Sequence, residues 1–123
     1  SFEPEHLAGY RSHQVYIRGS MHTPLPQHAL VDAMDAYFTC LTEEPNAAVR
    51  AILGHFIFVF IHPYMDGNGR IARFIMNSLF AAGGYPWTII HVKNRNNYFK
   101  ALEKASVEQD IKPFTKFILE EMR

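Results

Sequence analysis

An all-α domain carrying one short β-hairpin is the fold class this sequence predicts, and three observations carry the prediction. Several windows repeat apolar residues at helical spacing, and one, from Ala47 to Ile61, is apolar nearly all round. A short run of β-branched and aromatic residues beside a turn signal lies between Val15 and His22.

The elements follow in order. The first dozen residues hold no sustained period and include Pro4 and Gly9, so they read as an entry segment leading to Tyr10 and Arg11. Val15, Tyr16 and Ile17 run through Arg18 into Gly19-Ser20, and Met21 and His22 lead back to Thr23-Pro24, the pattern of a hairpin. From about Gln27, the residues Leu30, Val31, Met34, Tyr37, Phe38 and Leu41 predict an amphipathic helix, ended by Glu43-Glu44-Pro45. Asn46 is placed to cap a second helix running to about Ile61, and its lack of a polar face assigns it to the middle of the fold. His62-Pro63 ends that helix, because a residue before proline is pushed out of the helical region. Helical spacing resumes from about Asn68 through Ile71, Phe74, Ile75, Leu79 and Ala82, until Gly83-Gly84 stop it. Thr88-Ile89-Ile90 reads as β-like. Helices from about Arg95 to Ala105 and from Asp110 to Met122 complete the chain, the latter with Phe114, Phe117, Ile118 and Met122 inward.

Composition narrows the function classes. A chain of 123 residues with 48% hydrophobic content suits one core and hence one domain, residues 1–123. Twelve basic and twelve acidic side chains balance, which argues against a general nucleic-acid partner, since phosphate-backbone affinity needs an excess of Lys and Arg. The longest apolar stretch, Ala51 to Ile61, contains Gly54 and His55 and falls short of the roughly 18 to 20 residues that cross a bilayer, so no membrane association is expected. One cysteine permits no intrachain disulfide and fits a reducing, cytoplasmic setting. Cys40 lies in an apolar helical stretch and is expected to be a small buried hydrophobe. Ser1 in place of Met fits a piece excised from a longer protein.

The chemistry concentrates between His62 and Arg73. Gly67 and Gly69 let the backbone turn and approach a ligand, while the helix after them points unpaired N–H groups at the same space, an anion cradle. Asn68 can add a side-chain donor, and Arg70 and Arg73 stand one turn away with forks suited to phosphate. Asp66 supplies a hard carboxylate oxygen; Mg²⁺ needs only one or two such groups beside phosphates and water. His62, with an ordinary pKa of about 6.5, can accept a hydroxyl proton near neutral pH. Singly, each part has an ordinary explanation as a cap, a turn, a solvated arginine or a structural salt bridge. Together they indicate phosphoryl-type transfer. His55, on the apolar helix, is expected to make an internal hydrogen bond, and His22 to contact either a target or the backbone. No Cys/His cluster suggests zinc.

The segment resembles the Fic family motif, His-Pro-Phe-x-Asp/Glu-Gly-Asn-Gly-Arg-x-x-Arg, matched at every specified position except Tyr64 in place of Phe. The resemblance extends to Ala8-Gly9-Tyr10-Arg11, the hairpin, the lead-in His55 to Ile61, Met76-Asn77 and Gly84-Tyr85-Pro86. It implies a compact Fic-type helical domain acting as a protein adenylyltransferase, with ATP as donor and Mg²⁺ as cofactor. By the same resemblance, His62 deprotonates a Tyr, Thr or Ser hydroxyl of a target protein, which attacks the α-phosphate and expels pyrophosphate. Asp66 holds Mg²⁺, while Gly67, Asn68 and Gly69 form the anion hole and Arg70 and Arg73 bind the outer phosphates. The hairpin Val15 to His22 corresponds to the family's flap, which docks the target by strand-like pairing. Tyr98 corresponds to an aromatic near the base, although an aromatic at helical spacing is more often core.

Two departures bear on detail. Many relatives carry Asn after the Ala of the late helix, where it contacts adenine; Ala105-Ser106 stands here, leaving the nucleobase open. Many are also restrained by a helix bearing Ser/Thr-x-x-x-Glu-Gly/Asn, in cis or as an antitoxin in trans. Ser1 to Glu5 has that spacing but is followed by His6. The same site could serve another reaction, such as transfer of UMP, phosphocholine or phosphate, or removal of AMP, or could belong to a non-catalytic nucleotide-binding module. The intact Gly-Asn-Gly favours a triphosphate over direct phosphorylation, and retention of both His62 and Asp66 favours catalysis.

Overall fold

The computed structural model describes residues 9–122. Its elements are α1 (Leu30–Glu43), α2 (Ala47–Ile61), α3 (Asn68–Ala82), α4 (Arg95–Glu108) and α5 (Lys112–Glu121), with 3-10 turns at Gln27–Ala29 and Val92–Asn94 leading into α1 and α4. Among the described residues there is no strand.

The apolar character of α2 places it centrally. One face carries Ala51 and Ile52 into a cluster with Met76 and Phe80 of α3, Tyr98 of α4, and Phe114 and Ile118 of α5. The other carries Phe58 and Ile61 into a cluster with Leu30, Met34 and Tyr37 of α1 and Ala72 of α3. A helix that buries two faces has no surface left for polar residues. Burying a side chain such as Phe114 or Ile118 stabilises the fold by about 1.5–3 kcal/mol. The expected cap is present: Asn46 accepts the Val49 N–H at 3.0 Å. At the end of α3, Gly84 takes the left-handed conformation (φ 85°) and the Tyr85 N–H closes on the Phe80 carbonyl at 2.9 Å. α3 returns beside α2, bringing Gly83 against Ala47. The loop joining the two helices therefore sits at the opposite end of the pair.

Three expectations are corrected. The Val15–His22 segment is a turn without a strand ladder: the Ser20 N–H bonds the Ile17 carbonyl at 3.1 Å, with Gly19 at φ 80°. Its returning arm has its donors engaged elsewhere. The Met21 N–H goes to Glu103 Oε2 (2.8 Å), the His22 N–H goes to Ser20 Oγ (3.0 Å), and Pro24 has no N–H. Thr88-Ile89-Ile90 is likewise not a strand, because Asn77 serves Thr88 as a partner strand would, accepting its N–H at 2.6 Å and donating to its carbonyl at 3.0 Å. Cys40 is exposed, since the inward stripe of α1 runs through Leu30, Met34 and Tyr37 and leaves Cys40 and Phe38 outside. His62 leaves the right-handed helical region as expected, taking the left-handed one (φ 54°, ψ 60°). The Ser1–Glu5 spacing and most of the entry segment lie outside the described residues. No helix among the described residues is long and apolar enough to cross a membrane.

Candidate active site

The six residues between α2 and α3 are fixed from both sides. Asn68, the first residue of α3, accepts the Tyr64 N–H on Oδ1 at 2.9 Å and donates from Nδ2 to the Tyr64 carbonyl at 2.8 Å. The Tyr64 ring packs edge-on to Tyr10 (5.6 Å between centroids) and against Phe58 (6.1 Å), anchoring the loop in the α1–α2 cluster. The side-chain donor anticipated at Asn68 is thus engaged in holding the loop's shape.

The start of α3 forms the cradle. Gly67 precedes it in the left-handed conformation (φ 76°), and no side chain caps the helix. The Ile71 N–H bonds the Gly67 carbonyl at 3.0 Å, which leaves the N–H groups of Asn68, Gly69 and Arg70 without a helical acceptor. Two guanidiniums lie over the glycines: a Cβ on Gly69 would sit 3.3 Å from Arg73 Nη1, and one on Gly67 3.5 Å from Arg70 Nη2. A concentration of donors and positive charge at a helix start suits an anion.

In front of this start lies a cavity of about 360 Å³, within the range of small-molecule sites. His62, Asn68, Gly69, Arg73 and Tyr98 line it together with Ile17, Arg18, Gly19, Ser20 and His22 of the turn. Asp66, Gly67 and Arg70 stand at the loop beside it without lining it, as do Val15, Tyr16 and Met21 of the turn segment. Asp66 and Arg70 are exposed, while Tyr16 and Met21 are 77% and 83% exposed. A separate groove along α5, lined by Ile111, Lys112 and Leu119, holds none of these residues.

Electrostatics hold His62 in its neutral form. Burial is the main cause holding its pKa below the ordinary value, with the Arg11 guanidinium and His22 adding to it, so the imidazole is neutral near pH 7. His22 itself is fixed to the scaffold, Nε2 donating to the Phe60 carbonyl at 2.8 Å while its ring lies over Phe60. It therefore takes the backbone alternative. Behind the cavity, His55 is fully buried and shares a 2.7 Å hydrogen bond with the Tyr98 hydroxyl. Burial pushes Tyr98 up to about 12, and burial reinforced by Arg73 pushes His55 down to about 3, so both are neutral. The expected internal bond of His55 is present, and Tyr98 is core and cavity wall at once.

Sequence reasoning missed two contributors. Glu103, on α4, accepts Ser20 Oγ–H at 2.5 Å and the Met21 N–H at 2.8 Å, tying the turn over the cavity; those bonds hold its carboxyl below the usual range. It lies 83 residues from Ser20, and nothing in the local pattern of α4 marks it. Arg11 was visible only as part of the resemblance. It is 1% exposed and donates from Nε to the His62 carbonyl at 2.6 Å.

With the geometry in place, similarity to known proteins is informative. The Fic/DOC family model matches residues 2–80. A curated relative, protein adenylyltransferase Fic of Drosophila yakuba, is 39% identical over 113 residues, 89% of this chain and 22% of its own length. Protein adenylyltransferase Fic of Nematostella vectensis is 35% identical over 119 residues, 94% of this chain and 27% of its own. The chain thus spans about a quarter of the length of these relatives. The solved structure of Fic-1 (aa134 - 508) from C. elegans superposes with a TM-score of 0.81 at 27% identity, covering 92% of this chain and 33% of that one.

Proposed function

Since the chain belongs to the Fic/DOC family, we propose that it is a protein adenylyltransferase, transferring AMP from ATP to a Tyr, Thr or Ser hydroxyl of a target protein with release of pyrophosphate. The observation that carries this reading is the cavity that gathers His62, the Asn68-Gly69 helix start and Arg73 beneath one turn. The curated names of the relatives agree with it.

In this mechanism the neutral His62 imidazole takes the proton of the target hydroxyl. The oxygen bonds to the α-phosphorus, the bond from that phosphorus to the bridging oxygen breaks, and its electron pair leaves with pyrophosphate. The N–H groups at Gly67, Asn68 and Gly69 meet the charge that develops on the transferring phosphate, and Arg70 and Arg73 bind the outer phosphates. The donor chemistry fits Mg²⁺: Asp66 would offer one hard carboxylate oxygen, and such an ion takes its remaining ligands from phosphates and water. When bound, Mg²⁺ supplies charge neutralisation on the polyphosphate. Residues Val15 to His22 act as the flap. Glu103 occupies Met21 on the returning arm, leaving the arm Val15, Tyr16, Ile17 and Arg18 as the edge that a target backbone meets. An inhibitory helix or antitoxin would act by presenting a carboxylate to Arg73. The single cysteine fits a cytoplasmic setting for this one-domain unit.

Incubation with labelled ATP, Mg²⁺ and cell lysate tests the proposal: protein becomes labelled with the native chain and not with His62→Ala. Equal labelling by the two would remove it. Ser106 lines the cavity where relatives commonly carry Asn, so a nucleotide panel belongs in the same experiment to find the preferred base.

A further inference from the structure

Arg11 is a buried cation that backbone carbonyls surround. Its side chain is 1% exposed, and among the described residues no carboxylate pairs with it. Backbone carbonyls solvate it instead: Nε donates to His62 O (2.6 Å), Nη2 to Leu25 O (2.5 Å) and Ile61 O (3.3 Å), and Nη1 to His13 O (3.1 Å). Its own backbone N–H donates to Pro63 O at 2.8 Å. Three consecutive carbonyls, Ile61, His62 and Pro63, are therefore held by one residue. Burying a guanidinium this way is costly unless the fixed acceptors repay it, and two of its four acceptors, the Ile61 and His62 carbonyls, stand at the C-terminal end of α2, where a cation is favoured.

The turn needs such a tie. His62 is one of two non-glycine residues with positive φ among the described residues, a conformation that persists only when its surroundings enforce it. With Pro63 following, the right-handed region is closed to it. We propose that Arg11 is the positioning residue of the His62 base, its fork holding the His62 carbonyl so that the imidazole stands in the cavity. Burial is the larger cause of the lowered His62 pKa, and the Arg11 charge beside it adds to that lowering. The clause on chemistry rests on His62 being the base; the clause on geometry does not. The other charged and titratable groups that line the cavity with that ring are Arg18 and His22 from the flap, Arg73 from α3, and Tyr98 and Glu103 from α4.

The test uses the whole chain with Arg11→Met, which removes charge and fork, and Arg11→Lys, which keeps charge alone. Proton–nitrogen NMR follows the His62 ring through a pH titration, beside urea unfolding, ATP·Mg²⁺ affinity and transfer kinetics. Arg11→Met should raise the His62 titration midpoint, move its backbone shifts and lower kcat by roughly tenfold or more while nucleotide affinity holds within about twofold. Arg11→Lys should leave the midpoint near wild type yet keep kcat depressed. An unmoved His62 titration and backbone in folded Arg11→Met overturns the proposal. If Arg11→Met does not fold, a folded Arg11→Lys with full kcat overturns it equally. A chain that transfers nothing even in wild-type form refutes the adenylylation reading, while the NMR arm still decides the role of Arg11.

Discussion

Replacing Asn68 by alanine removes both bonds that this side chain makes to Tyr64, at 2.9 and 2.8 Å, from a residue only 3% exposed. Each orphaned backbone group costs about 1–3 kcal/mol when water cannot reach it. Tyr64 is half-buried, so water recovers part of that cost, and the expected loss is about 2 kcal/mol. For a domain of this size that is a fall in Tm of roughly 6–12 °C. A substitution at an exposed first helical position would stay within about 0.5 kcal/mol. Asn68→Asp is the informative companion. It still accepts the Tyr64 N–H but sets an oxygen against the Tyr64 carbonyl, so it should lose about half as much stability while its charge at the cradle weakens ATP binding. Differential scanning calorimetry with and without ATP·Mg²⁺ measures both effects. If Asn68→Ala melts within about 2 °C of wild type, the side chain does not hold the loop and the account of the cradle's shape is wrong.

Two further outcomes follow from the buried histidine and the flap. Because the folded-state pKa of His55 is depressed to about 3, the unfolded chain binds more protons below pH 6.5, and stability present above that value is lost as pH falls toward 3. The limiting slope is about 1.4 kcal/mol per pH unit; urea midpoints at pH 7 and pH 5 should show it, and His55→Gln should flatten the difference. Glu103→Ala removes both tethers on the turn, so the KM for a protein target should rise by roughly tenfold, the equivalent of one charge-assisted bond, with thermal stability almost unchanged. Steady-state kinetics with target varied at saturating ATP reads this, and an unaltered KM would show that the tether has no part in docking.

Much of the helical frame was legible because its signals are local. Asn46 before an apolar run, glycines after Ala82 and the spacing through α1 and α3 each act within one or two turns of the chain. The His62–Arg73 loop was legible for the same reason, its residue types being adjacent. The misreadings share a different cause. Thr88 through Ile90 have strand composition, yet Asn77, eleven residues earlier, satisfies Thr88. The Val15–His22 arms have hairpin composition, yet Glu103 takes the donor a ladder would use. In both cases a distant side chain stood in for a strand, which no periodicity records. Cys40 failed on a narrower ground, since a cysteine beside a hydrophobic stripe carries no mark of which side it faces.

The outward-facing thiol on α1 has a practical meaning. Among the described residues Cys40 is the one cysteine, and no residue of α1 lines the cavity. A dye or spin label attached there decorates this domain once, on a helix that contributes nothing to the cavity wall. Flap movement, inhibitor docking or surface tethering can then be followed in unmutated protein that keeps its full complement of site residues.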